Sequence, residues 1–265
     1  MPDAAHLPPA TLLALFGVAC VAGCVDAIAG GGGLLTLPAI FWTGIPPVFA
    51  FGTNKLQGTA GSFSSSIHFV RARAVDFRRF WPAFLAALLG GCLGAYSLQL
   101  ADPAFLRRFI PWLLIAIALY MLFAKRVGEV QRRQRLTLPA FAAAAAFSIG
   151  FFDGFFGPGA GTFYALACVS LLGLTLPVAT AHAKLMNFAS GLASLTVFIV
   201  SGKVLWAPGL AMAAGQFFGA QVGARLVIRG GARFVRTVLI VMSILLAAKL
   251  ITDDLGTPRT SVAHP

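Results

Sequence analysis

Two lysines and two aspartates stand inside otherwise apolar stretches of this 265-residue sequence. A lysine such as Lys55 or Lys184 costs about 3 kcal/mol at the centre of a bilayer, so it usually binds a ligand or forms a buried ion pair. The carboxylates of Asp26 and Asp153 could exchange protons in the same setting, which makes a proton-coupling role for both a hypothesis. The alternatives are that each aspartate caps the helix beyond a glycine cluster, or pairs with the local lysine.

A glycine cluster follows each aspartate. Gly30-Gly31-Gly32-Gly33 is the first cluster, and Gly157-Pro158-Gly159-Ala160-Gly161 is its counterpart. Each glycine is about 1 kcal/mol worse than alanine inside a helix, so both clusters predict a broken helix that lines a site. A new helix starting at the break would direct its backbone N–H groups and the positive end of its dipole at an anion. Close packing between helices through small residues is the alternative.

Polar residues surround the two lysines in a similar order. Thr53-Asn54-Lys55 is followed by Gln57, and His182-Ala183-Lys184 is followed by Asn187. The two ammonium groups could act on one anion; alternatively each lysine snorkels to an interface, and Thr53 and Asn54 are helix N-caps. The predicted substrate-binding residues are Gly30, Gly31, Gly32, Gly33, Asn54, Lys55, Gln57, Gly157, Gly159, Gly161, His182, Lys184 and Asn187. We predict no catalytic residue, no metal ligand and no cofactor.

The composition predicts that membrane helices position these residues. Hydrophobic residues make up 58% of the chain and charged residues only 11%, whereas a soluble domain carries about a quarter charged residues. The apolar runs are continuous rather than alternating, which favours helices over a barrel. We therefore predict an all-α polytopic membrane protein with eight full spans plus re-entrant or broken helices. The ten apolar segments lie near 11–29, 33–51, 54–70, 81–100, 105–124, 138–156, 159–177, 180–200, 206–227 and 234–251.

The basic residues lie between these segments and predict the orientation. The net charge is +12, and clusters of Lys and Arg occupy 71–79, 125–135 and 225–236. Such clusters are typical of cytoplasmic loops rather than of a nucleic-acid-binding face. The sequence thus predicts a multi-pass membrane protein with these loops in the cytoplasm and both termini outside. The four cysteines fit neither a disulfide framework nor a zinc site.

The two halves of the chain resemble each other. The stretch 23–32 aligns with 150–159, and 44–55 aligns with 173–184 after a two-residue insertion. Further on, Gly90, Gly94 and Ala95 align with Gly215, Gly219 and Ala220. We predict a single transmembrane domain (1–265) composed of a first repeat (11–124), a basic cytoplasmic linker (125–137) and a second repeat (138–252). Five segments per repeat would invert the second repeat, which favours alternating access around a site at the repeat interface.

These motifs resemble the sulfite exporter TauE/SafE family, in particular its YfcA-type members. The resemblance covers about residues 10–252 and rests on 26–38, Thr53-Asn54-Lys55-Leu56-Gln57-Gly58, 150–159, 179–184 and Gly202-Lys203-Val204-Leu205-Trp206. It implies an inner-membrane protein that moves small sulfur-containing or carboxylated anions such as sulfite or a sulfonate, with export as the expected direction. The second half has His182-Ala183-Lys184 in place of Thr-Asn-Lys, so the two halves need not contribute equally.

Two other functions stay open from the sequence alone. Asp26 and Asp153 could form an intramembrane hydrolase, although neither lies in a Gly-x-Gly-Asp context, and Ser64 with His68 lacks a glycine elbow. An anion channel would use the same lysines, but a binding site favours a carrier. We expect no enzymatic activity. The expected partners are a small anionic substrate and the lipid bilayer, with a homodimer as an option and no nucleic acid.

Overall fold

The structure, a computed structural model, describes residues 7–102 and 134–230, and every regular element in these two stretches is a helix. The first stretch contains α1 (Pro9–Ala29), α2 (Gly33–Trp42), α3 (Pro47–Arg71) and α4 (Phe77–Leu100). The second contains α5 (Leu138–Phe155, with a π-helical turn at Ala142–Ala146), α6 (Ala160–Leu172), α7 (Leu176–Val200) and α8 (206–230). The all-α prediction is confirmed over this part of the chain. The predicted segments 105–124 and 234–251 and most of the linker 125–137 lie outside the described residues.

Glycine clusters separate α1 from α2 and α5 from α6, as the sequence predicted. Gly30 is in the left-handed region with φ 78°, and its N–H donates to the Asp26 carbonyl at the end of α1. In the second half Gly157 and Gly159 have φ 100° and 84°. Glycine enters this region without the strain that a side chain would bring, so each cluster can end one helix and start the next within a few residues. The result is two helical hairpins, α1–α2 and α5–α6, each with a glycine-rich tip.

The predicted boundaries of the segments that carry the lysines are wrong, because proline sets the start of α3. The predicted segments 33–51 and 54–70 are in fact α2, which ends at Trp42, and α3, which begins at Pro47. Proline is favourable in the first turn of a helix, where its missing N–H has no partner to lose. The predicted segments 159–177 and 180–200 are likewise α6 and α7. Lys55 and Lys184 consequently lie about two turns inside their helices, and Pro46 rather than Thr53 or Asn54 occupies the N-cap of α3.

Contacts between helix ends define two ends of the bundle. At the first end, the Leu205 N–H before α8 donates to Thr53 Oγ1 near the start of α3 at 3.1 Å. At the second end, the Arg135 N–H before α5 donates to the Leu171 carbonyl near the end of α6 at 2.9 Å. The α5–α6 hairpin therefore starts and finishes at the second end. The start of α1 and the end of α2 pack together at the first end, in the same apolar cluster.

Two apolar clusters lie at the two ends, and a polar stretch of α3 lies between them. The cluster at the first end includes Leu37, Phe51 and Phe198, and the cluster at the second end includes Phe69 and Phe141. Between Phe51 and Phe69, α3 buries a series of polar side chains: Thr53, Asn54, Lys55, Gln57, Thr59, Ser62, Ser64, Ser65 and Ser66. This arrangement places the polar groups that follow Thr53 between the two apolar clusters, in the interior of the bundle.

Glycines allow close packing of α4 on α5 and of α8 on α1. A β-carbon on Gly90 would overlap the α5 backbone at Phe147, and a β-carbon on Gly219 would overlap the α1 backbone at Cys20. Phe147 and Cys20 occupy the same position in the predicted repeat, so the contacts match Gly90 with Gly219. The predicted match of Gly90 with Gly215 is therefore one helical turn too early.

Large apolar side chains cover the outside of the bundle. On α4, Trp81, Leu85, Leu89 and Leu93 follow one another at one-turn intervals and are all about half exposed. An apolar stripe of this length is typical of a face that contacts lipid or another protein. Within the described residues, α1, α4, α5 and α7 are long and apolar enough to cross a membrane, and α2 and α6 are shorter apolar helices. These features fit a multi-pass membrane protein, while the total of eight full spans stays a prediction.

Candidate substrate site between the two helix breaks

Two ion pairs cross between the two halves of the chain. Lys55 Nζ in α3 lies 2.9 Å from Asp153 Oδ1 in α5, and Lys184 Nζ in α7 lies 2.7 Å from Asp26 Oδ2 in α1. All four residues are buried, and Lys184 is only 1% exposed. Snorkelling is thereby excluded for both lysines, since neither ammonium group reaches an interface. Pairing of each aspartate with the local lysine was one alternative considered from the sequence, but each lysine pairs with the aspartate of the other half.

The Asp26 carboxylate also caps the second helix of its hairpin. Its Oδ1 accepts a hydrogen bond from the Gly32 N–H at 3.1 Å, while Oδ2 faces Lys184. The first N–H groups of a helix lack partners within the helix, and a carboxylate there also interacts favourably with the helix dipole. A β-carbon on Gly32 would lie 2.6 Å from Asp26 Cβ, so glycine is required at this position. Asp26 thus has both of the structural roles considered from the sequence, a cap and an ion-pair partner.

The Asp153 carboxylate has a different set of partners. Its Oδ1 faces Lys55, and its Oδ2 accepts a hydrogen bond from the Ser190 hydroxyl of α7. Lys55 also donates to the backbone carbonyl of Asp153. The Ser190 hydroxyl lies 3.1 Å from the Met186 carbonyl, a second acceptor on its own helix. Among the described residues, no backbone N–H donates to the Asp153 carboxylate.

The glycines of the two breaks leave the space that the ammonium groups occupy. A β-carbon on Gly157 would lie 2.9 Å from Lys55 Nζ, and a β-carbon on Gly161 would lie 3.0 Å from Lys184 Nζ. At Gly30 a β-carbon would overlap the amide nitrogen of Thr162, because the tips of the two hairpins touch at this point. The glycine clusters therefore act in both ways considered above, as helix breaks and as points of close approach.

Polar side chains beside Lys55 form a small network. Asn54 Oδ1 accepts hydrogen bonds from Thr36 Oγ1 and from Gln57 Nε2, both at 2.7 Å. The side-chain amide oxygen of Gln57 (Oε1) and the Thr59 hydroxyl are buried and have no hydrogen-bond partner in the described part of the chain. Buried polar groups are normally hydrogen-bonded, so these two atoms are available to water or to a ligand.

A cavity of about 40 Å³ lies between the two helix breaks and is lined by both halves of the chain. This is room for a few water molecules, and so for a ligand of similar size. Of the residues singled out from the sequence, Asp26, Gly30, Gly33, Asn54, Lys55, Gln57, Asp153, Gly157, Gly159, Gly161 and Asn187 line it. Gly58, Thr59, Gly191 and Gln216 also line it and were not predicted. A signal existed only for Gln216, which is a single amide side chain within an apolar run.

The structure does not bring His182 to this cavity. His182 Nε2 accepts a hydrogen bond from the Asp76 N–H at 3.3 Å, and its ring centroid lies 3.9 Å from that of Phe80. Thr53 has the equivalent position in the first half, because each of the two residues precedes its lysine by two positions. Thr53 Oγ1 accepts the matching hydrogen bond from the Leu205 N–H. Both residues therefore join their helix to the segment before the next helix, which is why neither faces the ligand space.

Three other residues predicted for the site do not line the cavity either. Gly32 and Lys184 both contact Asp26, which does line it, and the Gly31 carbonyl accepts a bond from the Leu34 N–H at 3.1 Å. These residues position the wall of the cavity rather than forming its surface.

The contacts do not favour an enzyme. Asp26 and Asp153 each pair with a lysine, whereas an aspartic hydrolase needs two carboxylates that share one proton. Ser64 donates to the Phe217 carbonyl at 2.8 Å rather than to His68. Within the described residues, no group of three or more His, Cys, Asp or Glu could hold a metal ion.

The comparison with known proteins agrees with the resemblance seen in the sequence. The model of the sulfite exporter TauE/SafE family matches residues 15–250. The chain belongs to this family. A protein of Haemophilus influenzae named "Probable membrane transporter protein" is 46% identical over 243 residues, which cover 92% of this chain and 95% of that protein.

More distant relatives carry similar names. The "Probable membrane transporter protein YfcA" of Escherichia coli K12 is 44% identical over 248 residues, covering 94% of this chain and 92% of its own length. The "Probable membrane transporter protein YunE" of Bacillus subtilis is 23% identical over 260 residues, covering 89% and 95% of the two chains. No solved structure matches the chain. Membership of the TauE/SafE family places the protein in a family of membrane transporters.

Proposed function

We propose that this protein carries a small anion, such as sulfite or a sulfonate, out of the cell. The observation behind the proposal is the cavity between the two glycine breaks, which is lined by Lys55 and by the aspartate of each half, with Lys184 paired to Asp26 behind this lining. The ammonium groups of Lys55 and Lys184 supply positive charge. At the starts of α2 and α6, Gly33 and Gly161 line the cavity, and their N–H groups can donate to an oxyanion, as can the Thr59 hydroxyl.

We propose further that transport occurs by alternating access between two inverted repeats, 11–124 and 138–252. Reciprocal contacts support this proposal, since the two ion pairs exchange partners between the halves and the Thr53 and His182 bonds match each other. Inverted repeats around a central site are typical of secondary transporters. The apolar clusters at both ends of the polar stretch favour a carrier with a closed central site over a channel.

The orientation remains a proposal as well. We place the chain in the inner membrane with the basic loops in the cytoplasm, both termini outside, and a homodimer as an option. In the structure the exposed arginines of the α3–α4 turn and Arg135 lie toward the same end of the bundle, as the positive-inside rule expects. Alkaline phosphatase fused to the N-terminus is expected to be active, because this enzyme folds outside the cytoplasm. Green fluorescent protein fused at the same position is expected not to fluoresce. An inactive phosphatase and a fluorescent green fluorescent protein would show that the N-terminus lies in the cytoplasm, opposite to the proposed orientation.

Flux in proteoliposomes tests the proposed function. Purified protein is tested with sulfite, thiosulfate, sulfoacetate, methanesulfonate and simple carboxylates. We expect uptake of at least one of these anions that saturates with concentration and shows counterflow. Uptake that rises linearly without saturation would indicate a channel, and the absence of flux with every anion would contradict the proposal.

Paired substitutions locate the site in the same assay. Lys55→Met/Asp153→Asn removes both charges of one pair while keeping the volume of the side chains, and Lys184→Met/Asp26→Asn does the same for the other pair. We expect each to lower the flux by at least tenfold, because the site then lacks one of the two ammonium groups that supply its positive charge. His182→Phe, whose residue lies outside the cavity, is the matched control and should keep most of the flux. Normal flux in both paired variants would exclude the lysines from the site.

A further inference from the structure

The site contains equal numbers of positive and negative charges. Among the described residues, the buried charged side chains are Asp26, Lys55, Asp153 and Lys184, and their charges sum to zero. An anion that entered this site alone would add a negative charge without a counterion. A buried charge without a counterion is strongly disfavoured, so the site needs a compensating positive charge when it holds its substrate.

We infer that a proton accompanies each monovalent anion, and that Asp153 takes it up as the anion replaces its carboxylate beside Lys55. This inference rests on the proposed function. An O–H bond forms on Asp153 with a proton from water on the side to which the cavity is open, and no group is oxidised or reduced. Lys55 keeps its three protons and changes its partner from the carboxylate to the anion. The loaded site then contains one new anion and one neutral carboxyl group, so its total charge is unchanged.

The contacts of Asp153 suit this exchange. When the carboxyl group is protonated it becomes a donor, and Ser190 Oγ is an acceptor already in contact with it. The Ser190 hydroxyl can turn its own proton to the Met186 carbonyl at 3.1 Å, so no buried donor is left without a partner. The hydrogen bond between Asp153 and Ser190 can therefore persist in both protonation states of the carboxyl group.

Asp26 lacks this freedom. Its carboxylate accepts from the Gly32 N–H and holds the start of α2, and protonation would weaken both that bond and its interaction with the helix dipole. We therefore assign Asp26 to positioning of the hairpin tip and Asp153 to proton transfer.

The surroundings of Asp153 contain few other titratable groups. Lys55 faces it from α3, Tyr164 lies near it from α6, and Ser190 faces it from α7. The neighbouring surface of α4 is formed by the backbone of Gly91. Lys55 is the only charged side chain among these groups, so the exchange of its partner is the step to which we link proton uptake by Asp153.

Because of this exchange, the flux of the anion and the flux of protons run in the same direction. The anion and the proton occupy the same cavity and leave it on the same side, so transport of a monovalent anion is electroneutral. The empty carrier returns with the Lys55–Asp153 pair restored, again without net charge. Export then runs on the gradient of the anion, whereas a lower external pH favours uptake.

Proton flux is measured in proteoliposomes of the full chain that contain a trapped pH-sensitive dye, with the membrane potential clamped at zero. Methanesulfonate, sulfoacetate and thiosulfate serve as probes because their charge is constant near neutral pH. For methanesulfonate we expect one proton to enter with each anion, and net uptake to increase as the external pH falls. Entry of any probe without acidification of the lumen would overturn the inference but leave the proposed function intact. If no anion of the panel named above enters, the proposed function fails, and the inference fails with it.

Asp153→Asn separates coupling from folding. The amide imitates the protonated carboxyl group, so the loaded carrier still crosses, but the empty carrier holds Lys55 without a counterion. We expect net uptake to fall at least tenfold while counterflow of the anion persists and no longer depends on pH. Asp26→Asn is the comparison, and whatever net flux it retains should still carry one proton per anion. Net uptake by Asp153→Asn with the parental proton count would contradict the assignment.

Discussion

Lys55→Ala is expected to lower the free energy of unfolding by about 3–5 kcal/mol, because it leaves the buried Asp153 carboxylate without its counterion. For a chain of this size the loss corresponds to a fall of about 6–20 °C in the melting temperature. The measurement is thermal unfolding of purified protein in detergent. The ion pair itself adds little stability over a neutral replacement, since desolvation of two charges offsets most of their attraction.

Two variants make this prediction specific. Lys55→Met/Asp153→Asn removes both charges and should lose less than half as much stability as Lys55→Ala. Lys203→Ala is the matched control, since Lys203 is partly exposed and its Nζ lies 5.2 Å from the centre of the Phe49 ring. It should cost about 1 kcal/mol. A Lys55→Ala variant as stable as Lys203→Ala would show that the Lys55–Asp153 pair is absent from the folded protein in detergent.

Gly30→Ala is expected to destabilise the protein strongly, because it combines backbone strain with a steric overlap. The left-handed backbone at Gly30 costs an alanine about 1–2 kcal/mol, and the added β-carbon would also overlap the Thr162 amide where the hairpin tips touch. We expect a loss of more than 3 kcal/mol and no transport. The melting temperature in detergent and the yield of monodisperse protein measure the effect.

Alanine substitutions at two other glycines distinguish the cost of backbone strain from the cost of steric overlap. Gly44 has φ 77° but open space around a β-carbon, so Gly44→Ala should cost only the 1–2 kcal/mol of backbone strain. Gly17 lies within α1 with open space and no positive φ, so Gly17→Ala should be neutral or slightly stabilising. If Gly30→Ala were no worse than Gly44→Ala, the hairpin tips would not be in contact.

The breaks in the helices could be predicted from the sequence because their cause is local. Four consecutive glycines, or glycines around Pro158, disfavour a helix wherever they stand. The same local reasoning fails at the start of α3. The predicted segments 33–51 and 54–70 place a boundary at 52–53, whereas Pro46-Pro47 sets the start of the helix. Gly52 is instead a packing position, because a β-carbon there would overlap the Lys203 carbonyl.

The site could be predicted only in part, because its pairing depends on the tertiary fold. A lysine or an aspartate in an apolar run marks a polar interior, and on that basis Lys55, Asp153 and their counterparts were identified. Their partners lie in the other half of the chain, and nothing in the spacing within one half indicates this. His182 matched the lysine motif in sequence, but its ring faces Phe80 and the loop before α4. Thr59 and Gly191 line the cavity because the helical periodicity of α3 and α7 turns them toward it, and neither residue carried a sequence signal of its own.

The exchange of partners between the halves also bears on how the chain is made. The ribosome releases α1 to α4 before α5 and α7 exist, so Asp26 and Lys55 reach the membrane well ahead of the residues that neutralise them. Until Asp153 and Lys184 have been synthesised, the first half exposes one uncompensated acid and one uncompensated base to lipid or to the insertion machinery. A chain interrupted at that stage keeps both charges without the partners that they have in the finished molecule, which is costly inside a bilayer.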